Sequence, residues 1–293
     1  MANYQNFDRQ YRLAAGPGGG TGFEIGATTP EQPVPLHIEF SLQKSDDDKQ
    51  NTGKVTVWNL NKDHLSVLDR KNCVLSLRAG YGDRIALVFA GNVSYSKTTL
   101  DSADRKTEIE IVDSLVATRD TYVSLAYSGT VSWKAIIDNL ANQMGVAVTY
   151  SYNATFKDAV NGFSFVGKAK DALTKACNSC GLTWTLQNGV LQIKRPGDVM
   201  SKEVYLLNAD TGLIEIPARV SLEKSSTKDN GTSEKQLGWE VVYFLNASID
   251  IGDYVKLESK TVTGYFRVKK LEITGDNVSG DWVCKAQLLE VKG

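Results

Sequence analysis

Alternating apolar and polar residues dominate the first third of the chain. From Leu36 to Leu42 the side chains alternate in near-strict period two, which is typical of a half-buried strand. Similar segments follow up to about Val116, separated by polar, Gly- or Asp-containing turns. Between two of them, NKDHLSVLD predicts a short helix that Asn61 can cap. Strands at this spacing predict an antiparallel sandwich or barrel over residues 36–116.

The middle of the chain changes to helical periodicity. Apolar residues recur every three or four positions in VSWKAIIDNLANQMG, and Gly145 is placed to end that helix. KAKDALTKACNSCG repeats the pattern, and Asn188-Gly189 in the next segment favours a hairpin with a type I′ turn. The order helix, strand, strand, helix, hairpin predicts a small α+β domain at residues 117–203.

The two ends of the chain differ from each other. Residues 204–293 return to strand patterns and predict a second all-β domain, with SSTKDNGTSEK (225–235) as an exposed hairpin loop. Residues 1–35 are rich in Gly, Pro, Thr and Gln, so we interpret them as an N-terminal arm or loop that orders on a partner.

Composition and charge exclude several classes of protein. With 42% hydrophobic and 23% charged residues in 293, the chain has enough apolar material for more than one core. The net charge of −1, from 33 basic and 34 acidic residues, provides no surplus for gripping nucleic-acid phosphates. The N-terminus has no apolar core typical of a signal peptide, and no stretch approaches the roughly 18 apolar residues of a membrane span. We therefore expect a protein that is made and kept in a cytoplasm unless a dedicated machine exports it.

Cys177 and Cys180 form a CxxC motif, the first candidate for chemistry. A zinc site needs two further Cys or His ligands nearby, and a redox pair is expected at a helix N-terminus. These two residues instead fall late in a predicted helix, on its apolar side, so packing is favoured over a metal or redox role. Four cysteines in the whole chain also argue against a disulfide scaffold.

The remaining motifs also favour ordinary structural roles. His37 and His64 accompany no nucleophile or HExxH motif, so surface or strand positions are favoured over acid–base or metal chemistry. GPGGGTG (16–22) lacks the strand and the Lys-Ser/Thr of a phosphate-binding loop and predicts a flexible segment. The aspartates at 46–48 lack calcium-loop spacing and predict a solvated turn. We expect no catalytic, cofactor-binding or metal-ligating residues, no cofactor, and no enzymatic activity.

The ordered set of strand motifs resembles a known family. HIEFSLQKS, KVTVWNLNKDHLSVL and LSLRAGYGDRIALVFAGNV resemble the first domain of phage baseplate hub proteins, and GWEVVYFLNASIDIGDYVKLESKTVTGYFRVKKLEITGDNVSGDW resembles their C-terminal pattern. The middle domain is similar to a small domain at the N-termini of secretins and TonB-dependent receptors. The resemblance covers about residues 36–293. Its matched residues have architectural roles: Gly252-Asp253 makes a turn, Gly264 opens a strand, Gly275-Asp276 and Gly280 bracket the last hairpin, and Trp282 is a large apolar plug.

The resemblance implies a fold and an assembly. The fold is mainly β with an α+β module: two antiparallel, tail-tube-like β-barrels (36–116 and 204–293) and a small secretin-N-terminal-like α+β domain between them. Hub proteins of this family are trimers whose six barrels form a pseudo-sixfold ring between a hexameric tail tube and a trimeric spike. The implied partners are the tube, spike, baseplate wedge and tape measure proteins. DNA passes through the lumen without specific binding, which a near-neutral chain suits.

The implied location is the baseplate of a virion that is assembled in the host cytoplasm, without membrane insertion. One alternative is a scaffold component of a secretion channel, but such a protein is expected to carry a signal peptide, whereas this chain begins MANYQNFDRQ. The sequence does not distinguish a complete phage tail from a tailocin or a type VI-like injection apparatus, so both of these alternatives remain. A wall hydrolase or metalloenzyme would need a site that the sequence does not reveal, and the chain has no lysozyme-like or peptidase segment. It is also short, so peripheral domains of larger hubs are expected to be reduced or absent.

Overall fold

The structure is a computed structural model that describes residues 8–18, 20–26, 35–46, 50–157, 159–200, 202–223 and 235–291. The chain divides into two compact units. The first unit combines Met1–Val112 with Glu203–Gly293, and the second unit is Asp113–Lys202. Among the described residues, no helix combines the length and apolar character needed to cross a membrane.

The first unit begins with seven strands and one helix, which follow in chain order: β1 (Arg9–Pro17), β2 (Phe23–Gly26), β3 (Ile38–Ser45), β4 (Thr52–Trp58), α1 (Lys62–Leu68), β5 (Cys73–Tyr81), β6 (Arg84–Asp101) and β7 (Asp104–Val112). Asn61 caps α1 by accepting a hydrogen bond from the amide of His64, so the predicted cap is confirmed.

The second unit mixes helices and strands: α2 (Leu115–Arg119), β8 (Tyr122–Val131), α3 (Trp133–Met144), β9 (Ala147–Tyr150), β10 (Val160–Lys168), α4 (Ala169–Ser179), β11 (Thr183–Gln187) and β12 (Val190–Lys194). Strands β8 and β10 pair with each other, and β11, β12 and β9 form a second small sheet. Both predicted helices are confirmed, and Gly145 ends α3 in the left-handed region. The type I′ turn is also confirmed, because Asn188 and Gly189 both have positive φ.

The rest of the chain returns to the first unit, with β13 (Val204–Leu207), a short 3₁₀ turn, β14 (Ala218–Glu223), β15 (Lys235–Phe244), β16 (Tyr254–Glu258), β17 (Thr263–Asp276) and β18 (Trp282–Glu290). The turn at Gly252 and the burial of Trp282 agree with the sequence predictions. The predicted loop at 225–235 lies almost entirely outside the described residues.

All strands of the first unit belong to one 13-stranded sheet. Its main path runs β14-β15-β18-β17-β3-β4-β7-β6-β5-β1-β2, and β16 joins β13 to β17. The antiparallel pairing of β3 with β17 connects the N-terminal and C-terminal strands, with Phe40 opposite Gly275. Trp282 packs edge-on against Phe40, with ring centroids 5.2 Å apart, and it is 2% exposed. Strands from both ends of the chain therefore share one hydrophobic core.

Two sequence predictions need correction or restatement. Residues 1–35 are not only an arm, because Arg9–Pro17 and Phe23–Gly26 are strands in which Tyr11, Leu13 and Ala15 point alternately into the core. Mainly antiparallel β structure is confirmed, but the described strands form no closed barrel. The domain boundaries at 116 and 203 stay a proposal.

A buried ionic cluster joins β3, β17 and the loop before β16. Lys44, whose side chain is 1% exposed, donates to the carboxylate of Asp250 at 2.5 Å. Arg267 pairs with Asp46 nearby in the sheet, both largely buried. Asp253 accepts from the amide of Asp250 at 2.8 Å. Burial raises the pKa of Asp253 from 3.8 to about 6, and the charge of Asp250 adds to the rise.

We predict that Gly275→Ala destabilises the first unit by about 1–3 kcal/mol. An added Cβ would lie within 2.2–2.8 Å of ring carbons of Phe40, and that ring is packed against Trp282 and cannot move away cheaply. Urea unfolding of the full chain measures the loss. Gly18→Ala is the matched control because nothing lies within 4 Å of its added carbon. Equal midpoints for the two variants would contradict the prediction.

We predict that Asp253→Asn stabilises the first unit increasingly as the pH rises from about 4 to about 7. Between pH 3.8 and about 6 the folded chain binds more proton at Asp253 than the unfolded chain, so this group lowers wild-type stability as the pH rises through that window. Asparagine does not titrate and keeps an oxygen for the amide of Asp250. We expect a gain of about 3 kcal/mol at pH 7 and only about 0.5 kcal/mol at pH 4.

Urea unfolding of both proteins across this pH range provides the measurement. The exposed Asp210→Asn is the control and is expected to show no such trend. A gain that does not change with pH would show that the burial of Asp253 is not its cause.

Candidate functional site

One face of the first unit's sheet is lined with charged side chains. The face spans six neighbouring strands, β15, β18, β17, β3, β4 and β7. We call it the charged face and define it by four lysines and six carboxylates: Glu39, Lys54, Lys106, Glu108, Glu110, Glu240, Lys270, Glu272, Asp276 and Lys285.

Strand alternation and register place these residues together. Directly paired residues on neighbouring strands share a face, and the pairings include Glu39 with Asp276, Lys54 with Glu110, and Glu272 with Lys285. The alternate residues of the same strands point into the core, as Ile38, Phe40 and Leu42 do in β3. The sequence indicates which residues of each strand lie on the same side. It does not indicate the register between strands, and the charged face depends on that register.

Opposite charges on this face pair with one another. Glu108 lies 3.1 Å from Lys54 and 3.6 Å from Lys106, and the hydrogen bond from Lys54 holds the pKa of Glu108 below its ordinary value. Lys285 lies 2.9 Å from Glu240. Partial burial raises the pKa of Glu240, but the hydrogen bond and the positive charge of Lys285 lower it, and the net effect is a pKa below the ordinary value. Such solvated pairs add little stability. Their effect is a surface with charges of both signs interspersed.

The charged face contains two shallow concavities. One, of about 480 Å³, is bordered by Glu240, Lys270, Glu272 and Lys285. The other, of about 350 Å³, is bordered by residues that include Glu39, Lys54 and Asp276. Charged and polar side chains line both concavities.

An apolar rim adjoins the charged face at one edge of the sheet. Ile214, Ile216 and Phe244 are 45%, 74% and 42% exposed. The amide of Ile214 donates to Val242, and Phe244 is paired with Val283, so these side chains continue the same face. Exposed apolar side chains grouped in this way are typical of interaction surfaces.

The two histidines lie apart within the first unit. His37 stacks on Trp58 with ring centroids 4.0 Å apart, and its Nε2 lies 3.1 Å from Oδ1 of Asp276. His64 stacks on Phe23 at 4.2 Å, and burial lowers its pKa. His37 directly precedes β3, and His64 lies in α1. The contact of His37 with Asp276 could not be foreseen because 239 residues separate them.

The two cysteines of the CxxC motif lie at the C-terminal end of α4. Cys177 is fully buried on the apolar side of the helix, and Cys180 is its C-cap. Burial raises the pKa of Cys177 to about 12, which opposes formation of the reactive thiolate. The position late in the helix agrees with the sequence prediction.

The glycine-rich and aspartate motifs have structural neighbours. GPGGGTG connects β1 to β2, so the expectation that no strand precedes it was wrong; a strand rather than a helix follows it. Gly16 and Gly22 approach closely, since a Cβ on Gly16 would lie 2.8 Å from the Cα of Gly22. Asp46 pairs with Arg267, and Asp47 and Asp48 lie outside the described residues.

Comparison with known proteins shows the fold. No protein-family model matches the sequence. No curated protein matches it either. Among solved structures, a 43 kDa tail protein of prophage MuSo2 from Shewanella oneidensis matches with a TM-score of 0.62 and 9% identity, over 97% of this chain and 98% of that chain.

Two further structures agree. A tail protein from Neisseria meningitidis MC58 has a TM-score of 0.63 and 11% identity, with 96% of each chain covered. The E. coli c3393 protein, a component of the type VI secretion system, has a TM-score of 0.60 and 9% identity over 88% of this chain and 74% of that chain. The structural neighbours are thus phage tail and type VI proteins, and the resemblance expected from the sequence is confirmed at the level of the fold.

Proposed function

We propose that this protein is the structural baseplate hub of a contractile phage tail, where three copies form a ring that adapts the hexameric tail tube to the trimeric spike. The observation that carries the proposal is the fold match to phage tail proteins along the whole chain, with 97% of this chain and 98% of the prophage tail protein covered. Within the proposal the protein has no catalytic role.

The arrangement of the sheet supports a ring. The first and second β segments (36–116 and 204–293) each contribute a contiguous set of strands, and β3 and β17 meet between the sets. We propose that the two sets are the tube-like domains that let a trimer imitate sixfold symmetry. The α+β unit would then correspond to the small secretin-like domain between them.

The charged face supports a channel role. A lumen for DNA must not hold the phosphates, and a surface with more carboxylates than lysines offers no net positive charge for that. We propose that this face lines the channel and that DNA passes without specific binding. The apolar rim and the terminal strands β2 and β14 would provide contacts to neighbouring copies and to the tube, spike, wedge and tape measure proteins.

A type VI-like apparatus is the second candidate, favoured by the match to the E. coli type VI component. The contents of the particle distinguish the two. A particle that carries this chain together with packaged DNA supports the phage tail, whereas an injection particle without DNA supports the type VI-like reading or a tailocin.

We predict that the full chain forms a trimer, of three times 32.1 kDa, when it is co-produced with the spike and tube proteins of its own particle. Mass photometry measures the stoichiometry, and electron microscopy of particles with a tag on this chain locates it at the tail end. A stable monomer in the presence of both partners would contradict the hub proposal.

We predict that Glu110→Lys/Glu272→Lys makes the protein retain duplex DNA in a gel-shift assay at low salt, whereas the wild type does not. The change leaves six lysines and four carboxylates on the charged face, so phosphates gain a net positive surface. Glu110→Gln/Glu272→Gln is the matched control and is expected to retain much less. Retention by the wild type would contradict the proposed channel lining.

A further inference from the structure

His37, Glu39 and Asp276 bring three potential metal ligands together on the charged face. The ligand atoms of these three side chains all lie within 4.8 Å of one another. His37 directly precedes β3, Glu39 is the second residue of that strand, and Asp276 is the direct partner of Glu39 on β17. Alternation thus places an imidazole and a carboxylate side by side, and register places a second carboxylate opposite them.

We propose that this cluster binds a divalent zinc-like cation through the imidazole of His37 and the carboxylates of Glu39 and Asp276. A mixed set of one nitrogen and two oxygen ligands suits zinc, which takes histidine and carboxylate ligands and accepts water at a fourth position. Magnesium and calcium prefer oxygen ligands alone, so the imidazole selects against them.

The first support is the pairing of like charges. Two carboxylates directly opposite each other across strands repel and destabilise a sheet. Arg9 is close, but its Nη1 donates to the main-chain oxygen of Asp276 at 2.8 Å rather than to the carboxylate. A bound dication would neutralise both carboxylates and relieve their repulsion.

The second support is the fixed orientation of the imidazole. His37 stacks on Trp58 with an interplanar angle of 12°, which fixes the plane of the ring. Its Nε2 points at Asp276 Oδ1 from 3.1 Å, close to the separation of about 3.3 Å between two ligands of a tetrahedral zinc ion with bonds of about 2.0–2.1 Å. These two ligand atoms are therefore already at about the separation that a bound zinc ion requires.

The third support concerns the two carboxylates. Asp276 is held in place by the amides of Val278 and Ser279, which donate to its Oδ1 at 2.8 and 3.0 Å. Such outer contacts orient a ligand before the metal arrives. Glu39 is exposed, so its carboxylate can close the remaining distance. The concavity of about 350 Å³ beside both residues gives the ion access from solvent.

The test uses the full chain, zinc chloride and the fact that the chain has only two histidines. Imidazole ¹⁵N–¹H spectra at pH 7.5 then contain signals from His37 and His64 alone. We expect zinc to shift the His37 signals at one ion per chain and to leave the His64 signals in place. Calorimetry on the same samples gives the affinity, and magnesium chloride is expected to give no response.

Variants assign the ligands. Glu39→Gln and His37→Ala are expected to weaken zinc binding at least tenfold, whereas Glu110→Gln, on the same face but outside the cluster, and His64→Ala are expected to leave it unchanged. Circular dichroism establishes that each variant is folded. No His37 shift at millimolar zinc, or equal affinity in wild type and Glu39→Gln, would overturn the proposal. Either result would leave the proposed hub function intact, since ring assembly is measured separately.

Discussion

The pairing of β3 with β17 is the interaction on which the first unit depends. It joins strands that are more than 200 residues apart in the sequence into one sheet, with the 90-residue second unit inserted between them in the chain. The absence of a side chain on Gly275 leaves room for the ring of Phe40, and Trp282 on the next strand packs edge-on against that ring. Pairing strands that are far apart in the sequence costs more loop-closure entropy than forming a hairpin between neighbouring strands. The packing of Phe40 against Trp282 at this junction helps to offset that cost.

This pairing also creates the charged face. Strand geometry sends every second residue to the opposite side, so the register that buries Phe40 and Ile273 also places Glu39 opposite Asp276 and Gln43 opposite Glu272. A slip of one residue would bury the charges and expose the core. The register of β3 against β17 therefore determines both the packing of the core and the charges on the outer surface. A change of register would alter both together.

Local features of the fold could be predicted from the sequence, and features that depend on distant contacts could not. The cap at Asn61, the helix that ends at Gly145 and the turn at Asn188-Gly189 depend on neighbouring residues alone. Strand β1 was missed because the glycines and prolines of residues 1–35 outweighed the short alternation through Tyr11 and Leu13. Composition averages over a whole segment. A strand, by contrast, needs only a few alternating residues and a neighbouring strand to pair with, which β1 finds in β2 and β5.

Contacts between residues that are distant in the sequence show the same limit. Asp113 accepts hydrogen bonds from the amides of both Asn188 and Gly189, at 2.6 and 3.0 Å, and thus fixes a turn that the sequence predicts without this partner. The sequence places His37 and Glu39 on one strand face, but nothing local indicates Asp276 as their neighbour. The residues of a motif such as CxxC are close together in the sequence, whereas the cluster of His37, Glu39 and Asp276 is assembled only by the register of β3 against β17.

The open sheet indicates why assembly fits this fold. Among the described strands, β2 and β14 are the two ends of the main sheet path, and each pairs with one other strand. Proteins that act alone protect such edges or close them into a barrel, and the described strands form no closed barrel. In this chain, Ile214 and Ile216 add exposed apolar side chains beside the β14 edge. Pairing between copies would satisfy the edges and cover the apolar side chains together, and repeated head-to-tail contacts of this kind close into a ring when the rotation between copies permits it.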